Sequence, residues 1–179
     1  MRPVPTALLF LLAVLLQEGL KPWWQVGDAS PEPLLVLVVF FALLGPAAPA
    51  VGLGLLGGVL ADLLGSPFEG PAIVGPRALG YTVGCWVVVQ ARDSLFRGST
   101  VTLVVMVLLG GFFAELIATA LVTLRGAGPL PGAPPRGWAG TAELSRRAGR
   151  LLLTAAAAVP LGPGLFAVRR FVGLERAAS

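Results

Sequence analysis

From Val101 to Leu124 the chain runs for 24 residues with a single charged side chain, Glu115. At 1.5 Å per residue, a helix of that length reaches across the ~30 Å hydrocarbon core of a bilayer. The rest of the sequence has the same character. Of 179 residues, 56% are hydrophobic and 12% charged, with a mean hydropathy of +0.86, whereas an ordinary soluble domain carries about 25% charged residues. Five or six spans of ~20 residues would consume most of the chain and leave only short connections. The expected fold is therefore all-α, a single polytopic membrane bundle of about six transmembrane helices.

Proline, glycine and charge punctuate the apolar runs and place the spans at approximately 4–20, 33–46, 48–64, 74–90, 100–124 and 151–169. The first follows Arg2 and resembles a secretory leader, but no small-x-small cleavage site follows it, which favours an uncleaved helix. Lys21, Pro22, Trp23 and Trp24 at its far end suit the headgroup level. Around Gly45-Pro46-Ala47-Ala48-Pro49, a tight turn between antiparallel spans competes with one long bent helix. The two prolines favour the turn, since each removes an N–H and restricts the residue before it. Residues 65–76 read as a surface loop. The segment 125–150 reads as an irregular linker followed by a short amphipathic surface helix, Trp138 to Arg150. In that reading Thr141 is the N-cap, and Arg146, Arg147 and Arg150 point to headgroups. Pro160 and Pro163 bend the last span.

The 13 basic residues against 9 acidic ones give a net charge of +4 and a pI near 10.6. On so apolar a chain, such an excess sets topology or meets anionic lipid rather than nucleic acid. The short loops favour both termini inside, with Arg2, Arg92, Arg97, Arg169, Arg170 and Arg176 cytoplasmic, while the 125–150 segment runs against that count. The chain has no histidine, hence no imidazole base and no histidine-ligated metal or haem. Its one cysteine, Cys85, forms no intrachain disulfide and reads as a small buried hydrophobe. Asp62 is the only aspartate within a span, so a pair of facing aspartates is missing too. The string Gly52-Leu53-Gly54-Leu55-Leu56-Gly57 lacks the strand and acidic partner of a dinucleotide site. No catalytic, cofactor or metal residues are expected, and the chain reads as a non-enzyme.

Ala50, Gly54, Gly58, Asp62 and Ser66 recur every four residues and share one narrow helix face, and Gly80 and Gly84 repeat the spacing on the next span. Such a smooth face either packs inside the bundle or receives a partner helix. Asp62 extends it to the membrane edge, as a solvated helix end, as an N–H acceptor for the loop that follows, or as an anchor that holds the loop Gly65 to Gly75 in shape. Glu115 lies deeper, among Phe112, Phe113, Leu116 and Ile117. It is either protonated and hydrogen-bonded to Thr119 or another helix, or paired with Arg77, or on the wall of a polar cavity.

The run from Gly54 through Gly58 to Asp62, a Gly/Ser/Pro-rich loop, and then Gly75-x-x-Ala78-Leu79-x-Tyr81 resembles the central signature of the MreD family of rod-shape-determining proteins. Size, the proline-led second span and the placement of later spans agree. The motif similarity covers about positions 33 to 86. Val74, the Pro76-Arg77 pair and the long basic 125–150 loop depart from the family pattern. The resemblance implies a non-enzymatic component of the cell-elongation machinery (the elongasome) in the bacterial cytoplasmic membrane. Its implied partners are an MreC-like bitopic protein, a SEDS-type glycosyltransferase, a class B penicillin-binding transpeptidase and the MreB cytoskeleton, in side-wall peptidoglycan synthesis. It also implies the six-helix arrangement of the substrate-binding subunits of energy-coupling-factor transporters. Gly54, Gly58, Asp62, Gly75, Ala78, Leu79, Tyr81, Gly84 and Glu115 are the candidate helix-packing or partner-binding residues.

The main rival reading is a vitamin-binding transporter subunit of that similar fold. It would be expected to show an A-x-x-x-A face on its first helix, whereas Ala7 and Ala13 stand six apart. A lipid-modifying enzyme fares worse, lacking histidine and clustered aspartates.

Overall fold

The computed structural model describes residues 2–19, 21–24, 29–64, 74–94, 98–126 and 140–174. The described chain is helical: α1 (Pro3–Gly19), the one-turn α2 (Lys21–Trp24), α3 (Pro33–Leu44), α4 (Ala47–Leu64), α5 (Pro76–Ala91), a 3-10 turn at Arg92–Ser94, α6 (Thr100–Gly126) and α7 (Gly140–Val172). Three of these, α4, α6 and α7, are long and apolar enough to cross a membrane. Large apolar side chains also cover the outside, among them Val4, Leu8, Leu15, Val101, Leu124 and Leu152, each more than half exposed. In water such a surface would aggregate; in lipid it is the expected one. This is a membrane protein.

The centre of the bundle is α3. Every residue from Pro33 to Leu43 is buried, and α3 packs against α1, α4, α5, α6 and α7. A helix that is apolar all round either meets lipid or is surrounded by protein; here the second holds. Twelve residues make α3 only about 18 Å long, well short of the hydrocarbon thickness. It stops where Gly45 turns extended and Pro46 follows. The Arg92 guanidinium donates Nη1 hydrogen bonds to the carbonyls of Ala42, at 2.9 Å, and Gly45. These carbonyls at the helix end have no partner within the helix.

The Gly45-Pro46 link is a tight turn, as the prolines imply. Val38 faces Gly57, and Glu32 and Ala61 both meet Arg77, so α3 and α4 run antiparallel. The reading of 125–150 needs correction. Residues 140 to 172 form one continuous helix through both prolines, with no separate surface helix before the last span. Thr141 is its second residue rather than its cap. The linker 127–139, the loop 65–73, Ser66 and Trp138 lie outside the described residues.

Successive long helices pair antiparallel. Along α4 and α5, Gly54 faces Tyr81 and Cys85, and Gly58 faces Arg77 and Ala78. Along α5 and α6, Gly80 faces Ala114 and Gly84 faces Gly110. Along α6 and α7, Glu115 meets Arg147, Gly111 meets Leu151 and Thr100 meets Gly162.

Candidate functional site

The signature residues form one interlocked unit. A Cβ on Gly58 would lie 2.5 Å from both the Ala78 Cα and the Arg77 carbonyl oxygen, and one on Gly54 would lie 2.8 Å from the Cys85 Sγ. Only hydrogen at these positions lets the α4 and α5 backbones come so close. One turn on, Asp62 reaches across to the start of α5. Its Oδ2 accepts hydrogen bonds from the N–H groups of Gly75, at 2.7 Å, and Ala78, at 3.2 Å, while Oδ1 accepts from Arg77 N–H at 3.1 Å. Gly75 has no side chain to cap the helix and sits at φ 140°, a conformation other residues rarely adopt. A carboxylate from the neighbouring helix does the capping instead, satisfying N–H groups that no carbonyl within α5 can reach, at the positive end of its dipole. Asp62 is 6% exposed and accepts N–H groups of Gly75, Arg77 and Ala78, so it is not a solvated helix end.

Beside this cap lies an ionic centre. Glu32, the residue before α3, accepts a 2.7 Å hydrogen bond from the Tyr81 hydroxyl and a 3.1 Å bond from Arg150 Nη1, and stands 3.5 Å from Arg77 Nη2. Its own N–H donates to Thr154 Oγ1 at 3.0 Å. Arg77 also donates from Nη1 to the Ala61 carbonyl at 3.1 Å. Burial penalises the Glu32 charge, but the Arg77 and Arg150 guanidiniums, aided by the Tyr81 hydroxyl, outweigh it and hold the carboxyl at about 2. One carboxylate thus ties the start of α3 to α5 and α7.

A second node adjoins it. Arg147 donates from Nη1 to Glu115 Oε2 at 2.7 Å and from Nε to Glu143 Oε1 at 2.8 Å. Side-chain exposure is 4% for Arg147 and 8% for Glu115. Of the alternatives for Glu115, the hydrogen bond to another helix is the one formed, to α7. Its partner is Arg147 rather than Arg77 or Thr119, whose buried hydroxyl has no hydrogen-bond partner among the described residues. Of the three arginines expected to point to headgroups, Arg146 is largely exposed, whereas Arg147 and Arg150 turn inward. The signal for this was present in the spacing: Glu143 and Arg147 stand one turn apart, and Arg147, Arg150 and Thr154 share a helix face. Glu32, next to a proline in an acidic connection, gave no sign of burial.

Tyr81, Gly84 and Ala78 are buried, and Gly80 and Gly84 abut α6, so the small-residue stripes are covered within the chain. Among the nine candidate residues named from the sequence, Leu79 alone is exposed, at 50%. An apolar groove of about 640 Å³ between α1 and α4, lined by Phe10, Leu11, Pro49, Gly52 and Leu56 among others, shares no residue with the ionic centre. Among the described residues, no three His, Cys, Asp or Glu side chains are grouped to hold a metal. No family model, no curated protein and no solved structure matches the chain.

Proposed function

We propose that the chain is a non-enzymatic scaffold of the bacterial cell-elongation machinery, an MreD-like protein with six spans and both termini cytoplasmic. It binds an MreC-like bitopic protein in the cytoplasmic membrane, alongside a SEDS-type glycosyltransferase, a class B transpeptidase and the MreB cytoskeleton. The observation that carries this reading is the joining of Gly54, Gly58, Asp62, Gly75 and Ala78 into one packed and capped unit. A signature whose residues act together in space is a stronger sign of kinship than matched letters. The charges of the centre are met by one another, as suits a bundle whose task is to hold shape. Since α5 and α6 cover the glycine faces, the partner's helix meets lipid-facing side chains, of which Leu79 belongs to the signature.

Copurification of the full chain from membranes of its native bacterium tests this. Recovery of an MreC-like protein, retained after dilution in mild detergent, is the expected result. A tightly bound vitamin with an energy-coupling module, or no protein of the elongation machinery at all, would overturn the reading.

A further inference from the structure

The two halves of α7 are attached to the bundle by different means. From Gly140 to Val159, the buried positions include Arg147, Leu151, Thr154, Ala155 and Ala158, with Arg150 partly buried among them. Leu151 is the one large apolar side chain in that set, and alanines fill 155 to 158. A face of alanine interdigitates little, so charge and hydroxyl contacts to Glu115 and Glu32 carry much of the attachment. Past residue 160 the means change. Leu161, Leu165 and Phe166 pack on the core, Phe166 meets Phe40 edge-on at 5.6 Å, and the Val172 carbonyl accepts a 2.9 Å hydrogen bond from Arg2 N–H.

Between the halves lies Pro160-Leu161-Gly162-Pro163-Gly164. Neither proline has an N–H, so the carbonyls of Ala156 and Val159 lose their usual helical partners, and such a site is where helices bend. We propose that the first half of α7 is an arm that pivots at Pro160–Gly164, and that Arg147–Glu115 and Arg150–Glu32 latch it shut over the ionic centre. Buried ion pairs add little net stability compared with apolar side chains of the same shape, yet breaking one leaves bare charge in a dry interior. The arm is therefore either docked with its charges paired or open with water around them, and intermediate positions are disfavoured. Opening brings water to Glu32, Arg77 and Tyr81. The device belongs to the bundle itself and does not depend on which machinery the chain serves.

Spin-label distances in the full chain test it, in lipid nanodiscs with Cys85→Ala as background. One label pair at the exposed Leu152 and Leu63 spans the arm and α4; a second at Phe171 and Trp86 spans the anchored half and α5. The latch is released by Glu115→Gln, Arg147→Met and Arg150→Met together, which leaves Glu32 with Arg77. The parent should give one narrow distribution for each pair. The released variant should gain a second Leu152–Leu63 population, longer by about 5 Å or more, the scale of one helical turn, with the Phe171–Trp86 distances unchanged. Adding Pro160→Ala and Pro163→Ala should remove that population. An unchanged Leu152–Leu63 distribution in the released variant overturns the latch, equal broadening of both pairs overturns the arm, and a second population that survives the proline replacements overturns the pivot.

Discussion

Along α4, α5 and α6 the helices meet backbone to backbone, with Gly54, Gly58, Gly80 and Gly84 at the points of closest approach. Along α6 and α7 the close fits are Leu151 over Gly111 and Gly162 against Thr100, with the Arg147–Glu115 pair joining the two helices, while Arg150 and Thr154 fasten α7 to Glu32 at the start of α3. Lipid supplies no hydrophobic force between helices, so each seam depends on what its own residues offer. Close glycine contact yields many weak attractions over a surface that cannot shift. Paired charges yield a defined register with little net strength, and they can part when water replaces the partner. The bundle therefore combines a rigid block with a differently fastened seventh helix.

Substitutions at the two seams should separate them. Gly58→Leu places a branched side chain against the Ala78 and Arg77 backbone, which cannot yield. It should abolish folding, read as loss of monodisperse protein after extraction, since overpacking already costs ~1–3 kcal/mol where neighbours can adjust. Arg147→Met leaves Glu115 buried and unpaired and should cost about 3–5 kcal/mol. Adding Glu115→Gln should recover most of that in a double-mutant cycle on thermal unfolding. If the second substitution recovers nothing, the α7 seam is as rigidly packed as the glycine one. Asp62→Ala removes the α5 cap and should cost about 1–3 kcal/mol by the same assay. Gly52→Ala, on the same helix as Gly58 but with open space beside it, should gain about 0.5–1 kcal/mol through helix propensity. Leu79→Ala should change stability by less than about 0.5 kcal/mol. A weakened hold on the partner in that variant would mark the contact surface.

Hydropathy made the helices legible and left their burial obscure. Helices α1 and α3 are both apolar runs rich in leucine, valine and phenylalanine, yet Leu8, Leu11 and Leu15 face outward while all of α3 but its last residue is enclosed. In a soluble protein polar residues would mark the outer face; lipid imposes no such contrast. The four-residue glycine spacing was readable as a packing face, and whether it served this chain or a neighbour was not, because both uses need the same small side chains. Arg146 and Arg147 are adjacent in sequence and opposite in fate, one exposed and one enclosed. The 3.6-residue period separates them only once the helix is known to run unbroken from 140 to 172, and the charges had suggested a boundary at 150.

Because α3 is enclosed on every side, its length answers to its two clamps, Glu32 at one end and Arg92 at the other, and not to the thickness of the bilayer. One residue inserted between Val36 and Phe41 would turn everything beyond it by about 100° and advance it by 1.5 Å. A lipid-facing helix can absorb such a change by tilting; an enclosed shaft has nowhere to tilt.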